Sequence, residues 1–283
     1  MSVLITGASG QVGGALLRCG PGSVVGVGHS DLDLEDPQRV GQVIRRIDPR
    51  MVIHAAAWTD VDGCELDPAR AWTVNAEGTA AVVRAALDRG ARVLYVSTDY
   101  VFSGKAVRPY GVDDEVGPVS AYGISKLGGE LSGRALGGDR FSTVRTSWVF
   151  SQTGRNFVKT VLRLASTEPE LRVVADQRGS PTYAPDLAQW IWEAIESGAS
   201  GDTFHACNAG ECTWFEMATQ VLRLSGQTTP VRPVSTAQFP RPARRPSYSV
   251  LSPSWGDKSV GRPMRHWQAA LAECLGVGAI VAE

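Results

Sequence analysis

The run VLITGASGQVGGALL, residues 3–17, constrains the fold more than any other stretch of the chain. Residues 3–6 are a short strand-like run, residues 7–14 are rich in glycine, and ALLRCG then reads as helix. Gly7, Gly10 and Gly13 allow a strand to turn tightly into a helix and let backbone N–H groups approach an anion closely. In a strand–turn–helix setting this spacing predicts the first βα turn of a dinucleotide-binding sheet, with the helix N-terminus facing a pyrophosphate. Taken without its setting, the same spacing also suits an ordinary glycine-rich turn.

The chain downstream alternates in the same way. SVVGVG and MVIHAAA read as strands on either side of the helix PQRVGQVIRRI, whose apolar residues fall at Val40, Val43, Ile44 and Ile47. Residues 69–89 read as one helix ending at Gly90, ARVLYVS as a buried strand, and STVRTSWVF as another. NFVKTVLRLAS and DLAQWIWEAIESG are helix-like. Short strands between helices predict an α/β, Rossmann-type doubly wound parallel sheet with right-handed crossovers. From about residue 201 the texture changes to short strands, prolines and one clear helix near 214–225. The expected division is a dinucleotide-binding domain over 1–150 and 175–200, and a smaller C-terminal substrate-binding lobe over 151–174 and 201–283.

Composition narrows the partners. Among 283 residues, 28 Lys and Arg nearly balance 29 Asp and Glu, with both signs interspersed, so neither a nucleic-acid stripe nor a polybasic membrane patch is expected. No apolar stretch reaches membrane-spanning length. Five scattered cysteines and a start, MSVLITG, without a basic region and long apolar run suggest a reducing cytoplasm. His29, His54, His205 and His266 show no metal-ligand spacing with the cysteines, so no metal site is expected.

The segment SAYGISKLGGE, residues 120–130, places Tyr122 four positions before Lys126. On a helix these side chains share a face, about 5–6 Å apart. A phenol titrates near pH 10, too high for easy proton transfer at neutrality, and a neighbouring cation favours the phenolate. The pair is a candidate acid with its tuner; alone, it equally fits an exposed tyrosine beside a solvated lysine. STDYVF, residues 97–102, ends a central strand where open α/β sheets bind ligands, which brings Thr98 and Asp99 toward the same crevice.

Together these stretches resemble the extended short-chain dehydrogenase/reductase superfamily, whose glycine spacing the first turn shares, and within it the dTDP-4-dehydrorhamnose reductase family. GQVG, AAAWTDVDGCE, VNAEG, STDYVF, YGISK, RTSWVF, NFV, DQRGSPT and PARRPSYSVL carry the resemblance over nearly the whole length. It implies that Gly10, Gln11 and Val12 touch the cofactor pyrophosphate, Asp33 and Leu34 its adenine side, and Ala57, Trp58, Thr59 and Val96 its ribose and phosphate path. It implies that Thr98, Asp99 and Trp148 meet a dTDP-4-keto-6-deoxy sugar. Tyr122 would donate the proton, Lys126 would lower its pKa and bind the nicotinamide ribose, and Thr98 would steady the carbonyl oxygen.

The departures bear on the cofactor. Trp58 stands where the family often has Tyr or His, and the second strand runs into Gly28, His29 and Ser30 without an acid. An acid there binds the ribose hydroxyls and repels a 2′-phosphate, so its absence predicts NADPH use with NADH also accepted; Asp31 is the carboxylate that could reverse this. The turn carrying Arg241, Arg244 and Arg245 suits the diphosphate of a nucleotide sugar, as it also suits a solvated turn. Some relatives bind magnesium through glutamates at a dimer interface, and the sequence places none of these. Monomer and homodimer both remain open, as does the exact 4-keto sugar. Two other readings are a 4,6-dehydratase or epimerase, the dehydratase needing an Asp-Glu pair where this chain has Asp99-Tyr100, and a non-catalytic regulatory relative, which the intact Thr98, Tyr122 and Lys126 argue against.

Overall fold

The computed structural model describes residues 2–253 and 262–277. Six parallel strands form the central sheet: β1 (Val3–Thr6), β2 (Val24–Val27), β3 (Met51–His54), β4 (Arg92–Thr98), β5 (Phe141–Thr146) and β6 (Thr203–His205). Their spatial order is β6-β5-β4-β3-β1-β2. After β1 the chain steps outward to β2 and then returns to the other side as β3. The topological switch point therefore lies between β1 and β3, and a crevice opens beyond their C-terminal ends.

Ten helices are described, α1 (Gln11–Cys19), α2 (Pro37–Ile47), α3 (Val61–Leu66), α4 (Pro68–Trp72), α5 (Gly78–Leu87), α6 (Ala121–Gly137), α7 (Phe157–Ala165), α8 (Ala184–Glu196), α9 (Trp214–Ser225) and α10 (Trp267–Cys274). Strand side chains alternate between faces, so Val3 and Ile5 join Leu16, Ile53 and Trp190 under α1 and α8. Leu4 and Val52 point the other way and meet Val40, Ile44, Val82 and Val83 from α2 and α5. Both faces are covered, which is why these strands read as continuous apolar runs. A separate core around Phe150, Val161, Met217, Val221, Trp267 and Leu271 unites α7, α9 and α10 away from the sheet. Among the described residues no helix is long and apolar enough to cross a membrane.

The doubly wound sheet is as expected, but three local readings change. The helix expected over 69–89 is α4, a π-helical turn at Thr73–Glu77, and α5, with Asp67 capping α4 by accepting from the Arg70 N–H. STVRTSWVF is not one strand, because Trp148 takes a left-handed φ of 46° and breaks the run. Thr203–His205, assigned with the second lobe, pairs with β5 as the edge of the central sheet; three residues carry too little periodicity to show this. Part of that assignment, residues 254–261 and 278–283, lies outside the described residues.

Candidate active site

A cavity of about 690 Å³ opens at the switch point, walled by the ends of β1, β3, β4 and β5. Its floor is the first glycine turn. Gly7 has φ +70°, and a Cβ on Gly13 would lie 2.2 Å from the Gly7 carbonyl oxygen, so turn and helix pack backbone to backbone. Gly10 caps α1 without a side chain, and no acid sits in the first helical turn. The N–H groups there are left for an anion, which is what a dinucleotide pyrophosphate requires.

The structure brings the candidate residues to this one cavity. Gly7, Gly10, Gln11, Val12 and Gly13 line its floor, and Asp33 and Leu34 one end. Ala57, Trp58, Thr59 and Val96 line its length. Thr98, Asp99, Tyr122, Lys126, Trp148 and Arg245 line the part toward the second core. Arg244 is exposed and not in the wall, and Arg241 pairs with Asp62 at 2.8 Å.

Tyr122 and Lys126 lie one turn apart on α6, which Ser120 starts by accepting from the Gly123 N–H. Glycines let α6 approach its neighbours: a Cβ on Gly123 would lie 2.2 Å from the Tyr100 carbonyl oxygen. Burial pushes the Tyr122 phenol above its ordinary pKa, and the neighbouring Thr98 hydroxyl draws it back. Lys126 is 2% exposed. Its ammonium donates to the Val96 carbonyl at 2.8 Å and stands 4.1 Å from the centre of the Tyr95 ring. Burial lowers it to about 7, with the charge of Glu130 opposing. The tuning of Tyr122 by Lys126 expected from their spacing is therefore not the dominant influence on the phenol; desolvation is.

Thr98 donates to Asp99 Oδ1 at 3.1 Å and accepts from the Tyr100 N–H at 3.2 Å. Asp99 is buried, and burial raises it to about 7. Trp148 stacks on Trp214 with centroids 3.4 Å apart, and its other face covers Gly179, where a Cβ would strike the indole at 2.4 Å. That sandwich holds the Trp148 side chain between Trp214 and Gly179.

Several residues at the site escaped the sequence reading. Asn75, inside the π-helical turn, holds the Trp58 backbone and donates to Ser125 of α6 at 3.0 Å. Asp62 receives both arms of Arg245 at 3.0 Å, so the arginine meets the cavity already paired. Arg70 forks onto Glu35 and lies 5.1 Å over Trp58. VNAEG and AAAWTDVDGCE, which contain Asn75 and Asp62, carry the family resemblance without giving either residue a role, and the partners of Asp62 and Arg70 are too distant in sequence to signal. Asp31 is not in the wall, and its Oδ2 accepts from the Gly28 N–H at 3.0 Å within its own turn. Among the described residues no three His, Cys, Asp or Glu side chains gather as a cation site.

The family model described as the RmlD substrate binding domain matches residues 1–279. A dTDP-4-dehydrorhamnose reductase of Mycobacterium tuberculosis is 41% identical over 286 residues, spanning 98% of this chain and 93% of that protein. A dTDP-4-keto-6-deoxy-D-glucose reductase of Streptomyces niveus is 38% identical over 96% of each chain. The crystal structure of a dTDP-4-dehydrorhamnose reductase from Bacillus anthracis, in complex with NADP, superposes with a TM-score of 0.92 at 36% identity, covering 96% of this chain and 98% of that one. Matched over nearly its whole length by that family model and by these relatives, the chain belongs to the dTDP-4-dehydrorhamnose reductase family of extended short-chain dehydrogenases/reductases.

Proposed function

We propose that this protein uses a reduced nicotinamide dinucleotide to reduce the C4 ketone of a dTDP-4-dehydro-6-deoxy-L-hexose, with dTDP-4-dehydro-L-rhamnose as substrate. The observation that carries the reading is the presence of the glycine turn, Thr98 and the buried Tyr122–Lys126 pair on one cavity wall. The dinucleotide supplies a hydride to the ketone carbon. The protein must then hold the substrate, exclude water and deliver a proton to the developing alkoxide. Tyr122 donates that proton from its phenol, and Thr98, on the same wall, steadies the oxygen as its charge grows. Lys126, fixed on the Val96 carbonyl, keeps a cation under the phenol when protonated. The stacked Trp148 and Trp214 form an apolar wall that keeps water from the sugar.

NADPH is the preferred cofactor, with NADH also used. Asp31 is turned onto Gly28, while the carboxylates on the wall, Asp33 and Glu35, are engaged by the Glu35 N–H and by Arg70. Arg70, paired with Glu35, brings a guanidinium to the same wall, and the Bacillus anthracis relative was crystallised with NADP. The Streptomyces niveus relative, named for a different keto sugar, supports a second reading: a 4-ketoreductase for another dTDP-deoxysugar.

The test offers dTDP-4-dehydro-L-rhamnose and dTDP-4-keto-6-deoxy-D-glucose separately, with NADPH and then NADH, and identifies the products by NMR. Faster turnover of the first to dTDP-L-rhamnose, and a higher kcat/KM with NADPH, are expected. Turnover of the second alone would select the alternative, and oxidation of neither cofactor with either sugar would end both readings.

A further inference from the structure

We infer that Asp99 is a positioning residue that sets, by holding or losing one proton, which way the Thr98 hydroxyl donates. The inference rests on the reductase reading above.

A threonine hydroxyl has one proton and two lone pairs. In the structure the proton of Thr98 goes to Asp99 Oδ1, and one lone pair accepts from the Tyr100 N–H. So arranged, Thr98 has no proton left for a ketone oxygen. Asp99 itself is 2% exposed, and among the described residues its Oδ2 has no hydrogen-bond partner. An ionised carboxylate buried this deeply is costly even with the Ser249 hydroxyl near it, whereas the neutral acid carries a donor of its own.

Protonation reverses the chain. The Asp99 carboxyl then donates to Thr98 Oγ1, whose other lone pair already serves Tyr100. The Thr98 proton must turn away, toward the cavity where the phenol of Tyr122 stands. When Asp99 is ionised it can only accept, so Thr98 donates to it, and the chain runs away from the substrate oxygen.

Surroundings place this switch near neutrality. Burial raises Asp99 to about 7, against the nearby hydroxyls of Ser249 and Thr98 and the N–H groups of Asp99 and Tyr100. The titratable groups that feel its charge are Tyr100, Tyr122 from α6 and Cys207 from the segment after β6, all neutral at that pH because burial raises each. The basic side chains of the wall are held elsewhere, Lys126 on the Val96 carbonyl, Arg245 on Asp62 and Arg70 on Glu35.

The measurement is the ratio of kcat/KM for the wild type to that for Thr98→Val, followed across pH. Lys126 titrates in both proteins and cancels. The ratio should be largest below pH 7 and fall toward one as pH rises through it. In an Asp99→Asn background the amide donates at every pH, so the same ratio should stay high in alkali. A ratio independent of pH in the wild type would overturn the inference, as would an equal fall in the Asp99→Asn background.

A second readout needs no substrate. The fold disfavours ionised Asp99, a penalty absent in acid and complete above pH 7, so the Tm gain of Asp99→Asn should grow as pH rises toward 7. A gain that does not change with pH would also overturn it. If the wild type turns over no 4-keto sugar nucleotide, the reductase reading fails, and the thermal titration alone decides the protonation of Asp99.

Discussion

Asn75 grips the backbone of Trp58 from both sides: its Oδ1 accepts the Trp58 N–H at 2.8 Å and its Nδ2 donates to the Trp58 carbonyl at 3.0 Å. The same Nδ2 reaches Ser125, whose hydroxyl donates to the Tyr122 carbonyl at 2.8 Å. One amide thus joins the loop after β3, which lines the cofactor side of the cavity, to the helix that carries the phenol. The π-helical turn at Thr73–Glu77 makes this possible by placing Asn75 inward, a recurrent use of such turns at functional sites.

Asn75→Ala leaves two backbone groups of Trp58 without this partner. Unsatisfied buried groups cost about 1–3 kcal/mol each, and because Trp58 is only half-buried a loss toward the lower end of the sum, about 2–4 kcal/mol, is expected. Urea denaturation measures it. Cofactor affinity should fall as well, because Trp58 forms part of that wall. A stable variant with unchanged cofactor binding would show that the loop holds itself.

Tyr122→Phe retains the ring and its edge contact with Tyr100, 5.6 Å between centroids, and removes only the hydroxyl. The fold and cofactor affinity should persist while kcat drops by about 10²–10⁴-fold, the usual contribution of a general acid. Steady-state kinetics beside a thermal melt separates the two effects. More than half of the activity remaining would take the proton donor away from Tyr122.

The residues legible in the sequence were those whose chemistry is local. Gly7, Gly10 and Gly13 act through one turn, and Tyr122 and Lys126 through one helical repeat, so spacing alone suffices. Asp62 and Arg245 are 183 residues apart, and their pairing depends on the C-terminal segment crossing back over α3. Glu130 of α6 is bonded to Arg145 of β5, a pairing between a helix and a strand that spacing does not signal. The orientation of Asp31, too, is a property of its turn, since its carboxylate serves Gly28 and not the cavity. Where side chains act across the fold, the period of the chain carries no trace of them.

Glu130 and Arg145 form a pair with both side chains 7% exposed and Oε2–Nη2 at 2.7 Å. Ser97 of β4 also donates to Glu130, so α6, β4 and β5 are fastened beneath the site. Arg145→Met alone leaves a buried, unpaired carboxylate and should cost about 3–5 kcal/mol. Adding Glu130→Leu removes that charge and should recover most of the loss. Chemical denaturation of the two single variants and the double variant gives the coupling, and additive losses would show that the pair does not act as a unit.

Lys126→Met tests the electrostatic state of the site through stability. In the fold Lys126 titrates at about 7, below its ordinary 10.5, because burial disfavours the charged form. Below pH 7 the amine is protonated in both folded and unfolded chains, and the folded protein bears the full cost of burying the charge. Between pH 7 and 10.5 the folded amine is neutral while the unfolded one still binds a proton, so wild-type stability gains about 1.4 kcal/mol per pH unit from this group. Above 10.5 the cost is gone. Methionine fills a similar volume without the charge and loses the bond to the Val96 carbonyl, a deficit that does not depend on pH. The Tm of Lys126→Met relative to wild type should therefore be most favourable below pH 7 and decline steadily from pH 7 to 10.5. A difference that stays level across that range would mean that Lys126 keeps its ordinary pKa in the fold, and that a full cation underlies Tyr122 throughout.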